Sequence, residues 1–169
     1  MRKLKGFTLI ELLIVIAIIA IIAAVVFVAL DPLTRFQDAR DAARWQDISA
    51  VMSAIKVNQV DNGGSYIAAV SGLAAGEVFQ IGTAVTGCNL DANATPADHC
   101  DTDAPDTDNC VSLAGLVTAG YLGEVPVSPN GAGTWTTGLT GYTIQRDSTG
   151  IITIRACESE NSPELTISR

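Results

Sequence analysis

The sequence lacks the residue patterns that common catalytic sites need. Histidine occurs once, as His99, and no serine lies in a nucleophile-elbow pattern that could complete a Ser-His-Asp triad around it. Neither the phosphate-binding pattern GxxxxGKS/T nor the zinc-protease pattern HExxH is present. The sequence therefore predicts that the chain is not an enzyme, and no motif in it requires a cofactor.

Positive charge is also scarce. The chain has 10 Lys and Arg residues against 18 Asp and Glu residues, for a formal net charge of −8. Three of the basic residues, Arg2, Lys3 and Lys5, lie together at the N-terminus, so the rest of the chain is strongly acidic. Binding to the phosphate backbone of nucleic acids needs a basic surface. Direct nucleic-acid binding is therefore not expected.

Cysteine is limited to four residues, none of which forms a CxxC pair. They are Cys88, Cys100, Cys110 and Cys157. If the C-terminal part of the chain lies outside the cytoplasm, two disulfides are expected. Four cysteines allow three pairings, and the sequence does not choose among them. A zinc site is the alternative, although His99 is the only histidine that could contribute to it.

Long apolar runs are absent except for one near the N-terminus. Between Phe7 and Leu30 only Thr8 and Glu11 are polar. As a helix these 24 residues would measure about 36 Å, enough to cross a bilayer core of about 30 Å. The basic cluster before the run should stay in the cytoplasm and direct the rest of the chain outward. An uncleaved single-span anchor is the simplest interpretation.

Glu11 is the residue that a plain anchor does not explain. A carboxylate at mid-bilayer costs roughly 2.5–3.5 kcal/mol unless it has a partner, and no basic residue occurs between Glu11 and Arg35. Cleavage between Gly6 and Phe7 would create an α-amino group four residues before Glu11. In a stack of such helices, that amine could pair with the carboxylate of a neighbouring copy and fix the register of the assembly.

The segment Lys5-Gly6-Phe7-Thr8-Leu9-Ile10-Glu11-Leu12 resembles the prepilin cleavage and methylation motif of type IV pilins and type II secretion pseudopilins. The resemblance implies cleavage after Gly6 by a prepilin peptidase on the cytoplasmic side and N-methylation of Phe7. It also implies that Glu11 acts in assembly. The division it suggests is a leader at 1–6, a membrane-spanning and filament-core helix at 7–30, an amphipathic second half at 31–62, and a globular head at 63–169.

After an interruption at Asp31-Pro32, the chain is predicted to be helical again from Thr34 to Asp61. A half-buried stripe is expected to pack on the sheet of the head; it comprises Trp45, Ile48, Val51, Met52, Ile55 and Gln59. The polar positions expected on the opposite face are Asp38, Asp41, Asp47 and Lys56.

The head is predicted to contain a small antiparallel sheet. A short strand is expected over Val78–Val85, and Ser112 is expected to cap a short helix that ends at Gly120. Gly141–Asp147 and Gly150–Cys157 have the alternation of a hairpin, and Leu165–Ser168 could add an edge strand. The predicted fold class is α+β, with a long N-terminal helix packed on this sheet, as in the pilin fold.

An acidic segment at 98–110 is the candidate ion site. Its closely spaced carboxylates suit calcium, which takes six to eight oxygen ligands; the predicted ligands are Asp101, Asp103, Asp106 and Asp108. The segment departs from an EF-hand, because it lacks the central glycine and the final glutamate. Some pseudopilins bind calcium in a comparable head loop. The alternative is a solvated acidic loop held by disulfides.

These features together predict a structural subunit of a type IV pilus-like filament. The expected partners are copies of the chain itself, prepilin peptidase, an inner-membrane assembly platform, and the membrane before assembly. The head would lie outside the cytoplasmic membrane first, and in an extracellular or periplasmic filament later. The alternatives are the major pseudopilin of a type II secretion system, and a membrane-anchored binding module that does not polymerise.

Overall fold

The computed structural model describes residues 6–85, 88–90, 110–131, 134–162 and 164–169. In these ranges the helices are α1 (Leu9–Leu30), α2 (Pro32–Asp61), α3 (Ala68–Ser71) and α4 (Ala114–Thr118). The strands are β1 (Val78–Gln80), β2 (Asn89–Leu90), β3 (Tyr142–Arg146), β4 (Ile152–Ala156) and β5 (Thr166–Ser168). The chain divides into two compact units, Met1–Phe36 and Gln37–Arg169. A long apolar N-terminal helix and a small antiparallel sheet confirm the predicted α+β class.

The helix is interrupted at Asp31, as the sequence predicted. Asp31 has a left-handed backbone with φ of 36°, a conformation that aspartate tolerates better than most residues. Its carboxylate accepts a hydrogen bond of 2.6 Å from the Thr34 hydroxyl. Pro32 then occupies the first position of α2, where a missing backbone N–H removes no helical bond. The same residue pair therefore ends α1 and begins α2.

The second unit contains an antiparallel sheet with the strand order β2-β1-β3-β4-β5. β3 and β4 form the predicted hairpin. Asp147 organises its turn, because its Oδ1 accepts the backbone N–H groups of Thr149 and Ile151 at 2.8 Å each. β5 pairs with β4 at the sheet edge, which confirms the edge strand predicted at Leu165–Ser168.

The strand predicted over Val78–Val85 is shorter than expected and ends at Gln80. Gly82 accounts for the early end. Its N–H donates to the carbonyl of Val111 at 3.1 Å, and its backbone lies so close to Gly138 that any side chain at position 82 would overlap the Gly138 carbonyl. The chain therefore leaves the sheet after β1 and passes close to the backbone of Gly138, an approach that only glycine permits.

The core of the second unit lies between α2 and the sheet. From α2 it takes Ile48, Val51, Met52, Ala54 and Ile55, and from the β3–β4 hairpin Tyr142, Ile144, Ile152 and Ile154. Four members of the predicted stripe are therefore buried, and Gln59 is half-buried. The prediction was wrong for Trp45, which is 47% exposed. The residue before it, Arg44, is fully buried instead.

Asp41 also corrects the prediction, because it was assigned to the outward face and is buried. Its carboxylate accepts three backbone hydrogen bonds, from Glu160 and Ser162 at 3.1 Å and from Asn161 at 2.9 Å. It also accepts a bond of 2.8 Å from Arg44 Nη1. An acidic side chain with this many donors can be buried without losing its charge.

Arg44 joins three segments that are distant in sequence. Its Nη1 lies 2.9 Å from Glu160 Oε1, and its Nη2 lies 3.1 Å from Glu158 Oε2. Nη2 also donates to the carbonyl of Pro129 at 3.0 Å, and Nε donates to the Ser128 hydroxyl at 3.1 Å. The guanidinium thus connects α2 to the loop before β3 and to the segment after β4.

The predicted cap of α4 was displaced by one residue. Leu113 occupies the N-cap position and gives no side-chain hydrogen bond. The hydroxyl of Ser112 is 3.5 Å from the Ala114 N–H, at the limit of a hydrogen bond. Leu113 is fully buried, so the burial of its side chain fixes the start of this helix in place of a capping bond.

We expect Arg44→Met to destabilise the second unit by about 3–5 kcal/mol, because the substitution removes the buried positive charge that Asp41, Glu158 and Glu160 share. The measurement is urea unfolding of the full chain in detergent, followed by near-ultraviolet circular dichroism. Arg35→Met is the matched control, since Arg35 is exposed, and should change stability by less than about 0.5 kcal/mol. Equal effects of the two substitutions would contradict the assigned role of Arg44.

Acid should also weaken this unit. Hydrogen bonds from Arg40 and Arg44 lower the pKa of Glu160 to about 2. Burial raises the pKa of Asp41, but the backbone N–H groups of residues 160–162 outweigh it and the net pKa is lowered. Both groups therefore contribute stability that is complete above an unfolded pKa of about 4 and is lost as the pH falls toward 2.

The thermal midpoint of the full chain, measured from pH 6 to pH 2, should fall over that window. Glu160→Gln should lower the midpoint at pH 6 and flatten its pH dependence. A midpoint that stays constant down to pH 2 would contradict the prediction.

Candidate functional site

The predicted cleavage site lies in non-helical backbone just before α1. Residues 6–8 are not helical, and α1 begins at Leu9. Thr8 is the N-cap residue, with φ of −87° and ψ of 151°. The side chain of Phe7 is 86% exposed. The peptide bond between Gly6 and Phe7 therefore lies outside the helix.

Thr8 and Glu11 form a reciprocal capping box. The backbone N–H of Thr8 donates to Glu11 Oε2 at 2.8 Å, and the Thr8 hydroxyl donates to the same oxygen at 2.7 Å. In return the backbone N–H of Glu11 donates to Thr8 Oγ1 at 3.3 Å. Threonine followed three residues later by glutamate is the sequence signature of this motif. The signature is present in the sequence at Thr8 and Glu11, but only the charge of Glu11 entered the prediction.

The capping box gives Glu11 hydrogen-bond donors within its own chain, which the sequence analysis did not foresee. These donors engage Oε2, while Oε1 accepts no hydrogen bond within the described ranges. No described cation forms an ion pair with Glu11. The pairing of Glu11 with an amine of another copy stays a prediction. In such a pair Oε1 is the oxygen that could accept the hydrogen bond, because the capping box occupies Oε2.

The helix that follows the cap is apolar on all sides. None of the 22 residues of α1, all of which the structure describes, is buried. Its length and composition are sufficient to cross a membrane. A helix of 22 residues measures about 33 Å, close to the thickness of a bilayer core. An apolar N-terminal helix of this kind fits membrane anchoring.

Among the described cysteines, Cys88 and Cys110 are joined by a disulfide, and Cys157 is also disulfide-bonded. Cys100 lies outside the described residues. The prediction that cysteines of the head form disulfides is therefore confirmed. Cys88 and Cys110 cannot act as zinc ligands, because their sulfur atoms are bonded to each other.

The predicted calcium ligands Asp101, Asp103, Asp106 and Asp108 lie outside the described residues, as does His99. Within the described ranges no cluster of three or more His, Cys, Asp or Glu side chains could hold a metal ion. The calcium site stays a prediction.

Comparison with known proteins bears on the first helix. Residues 1–27 match the family model described as the prokaryotic N-terminal methylation motif. No curated protein and no solved structure matches the chain. The motif covers the predicted cleavage segment and most of α1, and it supports a type IV pilin-like or pseudopilin protein. The resemblance is therefore confirmed: the chain carries the prepilin-type signal of type IV pilins and pseudopilins.

Proposed function

We propose that this chain is the structural subunit of a type IV pilus-like filament. A prepilin peptidase would cut the precursor after Gly6 and methylate the new N-terminus at Phe7. The mature chain would wait in the membrane, held by α1, and then enter the filament through the same helix. Copies of the chain and an inner-membrane assembly platform are the partners this function needs.

The observation that carries this proposal is the apolar surface of α1, of which no residue is buried. The methylation motif at residues 1–27 supports it. A surface of this kind needs lipid or other apolar helices around it. Exchange of lipid for neighbouring helices costs little, because both surroundings are apolar. α1 can therefore serve as a membrane anchor first and as a filament-core helix later.

Glu11 would set the position of each new subunit. Cleavage creates a positive amine at Phe7, and the carboxylate oxygen Oε1 is not engaged by the capping box. A charge pair between that amine and Glu11 of a neighbouring copy would be satisfied only at one axial offset. The apolar surroundings would make any other offset costly, since each charge would then be buried without a partner.

The basic residues at the start of the chain would fix the topology. Arg2, Lys3 and Lys5 would keep the leader in the cytoplasm, and the second unit would lie outside. An oxidising compartment there agrees with the disulfide between Cys88 and Cys110. A disulfide-bonded head favours a pilus subunit over the major pseudopilin of a type II secretion system, which is the alternative. A structural role leaves no catalytic task to the head.

Mass spectrometry of the N-terminus tests this function. When the full chain is expressed with a prepilin peptidase, we expect a mature form that begins with N-methylated Phe7. Gly6→Val should block cleavage and retain Met1, because a branched side chain beside the scissile bond obstructs the close approach of the enzyme. Retention of Met1 in the unmodified chain would instead support an uncleaved membrane anchor.

Glu11→Gln tests the charge pair separately from the cap. Glutamine can complete a capping box, so the precursor should remain helical and be cleaved normally. It cannot pair as an anion with the amine of Phe7, and we expect surface filaments to fall at least tenfold when counted by electron microscopy after shearing. Glu11→Asp is a second control that keeps the charge. Normal filament numbers from Glu11→Gln would refute the pairing.

A further inference from the structure

The capping box also determines which peptide bonds are free of helical hydrogen bonding. In a helix extended by one residue, the Glu11 N–H would donate to the carbonyl of Phe7. Here that N–H donates to Thr8 Oγ1 instead, at 3.3 Å. The first described backbone bond of the helix is from the Leu12 N–H to the Thr8 carbonyl, at 3.3 Å. The carbonyl of Phe7 is therefore kept out of the helical ladder.

The backbone N–H of Thr8 is also engaged by the capping box. It donates to Glu11 Oε2 at 2.8 Å, so it is satisfied without a further helical turn before it. A helix start whose donors are satisfied has no tendency to extend into the preceding residues. Gly6 and Phe7 therefore stay outside the helix, in backbone without regular secondary structure.

A peptidase needs accessible, non-helical backbone at the bond it cleaves. The enzyme must place its nucleophile against the carbonyl carbon and must bind the flanking peptide groups. Inside an α-helix those groups are hydrogen-bonded to one another, and side chains surround them. The uniform apolar sequence after Thr8 supplies no other stop signal, since every residue from Leu9 to Leu30 except Glu11 is apolar.

We infer that Thr8 is a positioning residue for processing: with Glu11 it fixes the first residue of α1 and keeps the Gly6–Phe7 bond in non-helical, cleavable backbone. The inference rests on the proposed function, because it assigns a role within the cleavage step. It gives Glu11 a part in the precursor as well as in the filament. The cap needs only the hydrogen-bonding capacity of Glu11, whereas assembly needs its charge.

The test is the single-turnover cleavage rate of the full-length precursor in detergent by a purified prepilin peptidase, with the products identified by mass spectrometry. Thr8→Val keeps the shape of the side chain but removes the hydroxyl. Loss of an N-cap changes the population of the helix start by roughly fivefold, and we expect the cleavage rate to fall by about that factor. Glu11→Gln should be cleaved at the rate of the unmodified precursor.

Two controls separate the cap from direct recognition of Thr8 by the enzyme. Thr8→Ser and Thr8→Asn both restore a capping side chain, although asparagine has a different shape and no hydroxyl. Both should recover the rate if the cap matters. Recovery by serine alone would mean that the enzyme reads the hydroxyl, and would overturn the inference.

An unchanged rate and site for Thr8→Val would also overturn the inference, while leaving the proposed function intact. Failure of the peptidase to cut the unmodified precursor would remove the proposed function, and the inference with it.

Discussion

The uncovered apolar surface of α1 is the constraint on which the rest of the chain depends. Sixteen large apolar side chains of this helix are exposed. Leaving such a side chain in water costs about 1.5 kcal/mol or more, so the sum exceeds the roughly 5–15 kcal/mol by which a folded domain is stable. The second unit cannot compensate for this. A helix with this surface is suited to surroundings of lipid or of other apolar chains.

The second unit is stabilised by different interactions from those that α1 requires. Its stability depends on a buried charge as well as on an apolar core. Arg44 and Asp41 lie on α2 and bind residues that are far away in the sequence. Arg44 binds Glu158, which is 114 positions later, and Asp41 accepts the N–H of Ser162, which is 121 positions later. These bonds fix the segment after β4 against the helix. The Cys88–Cys110 disulfide holds a different part of the unit. The buried ion cluster and the disulfide therefore add to the stability that the apolar core gives this unit.

Local sequence patterns predicted much of this structure. The prediction that failed at Asp41 concerns a residue whose position depends on contacts between distant parts of the chain. The break at Asp31-Pro32, the β3–β4 hairpin and the edge strand follow from backbone chemistry that acts within a few residues. Asp41 was assigned outward because it is acidic, although it lies seven residues before Ile48 on the same helical face. Its partners are the backbone N–H groups of residues 160–162, which no local pattern indicates. The capping box at Thr8 differs, because its signature was present in the sequence and could have been recognised.

The choice of glutamate at position 11 is itself informative. A capping box is completed by glutamine as well as by glutamate, and a neutral amide costs far less than a carboxylate inside an apolar assembly. Capping alone would therefore favour glutamine once the helix leaves water. The capping box engages only Oε2 of Glu11, so the negative charge and the second oxygen are not explained by the cap. A partner that is itself positive accounts for both, and cleavage before Phe7 would create such a partner at the start of every mature copy.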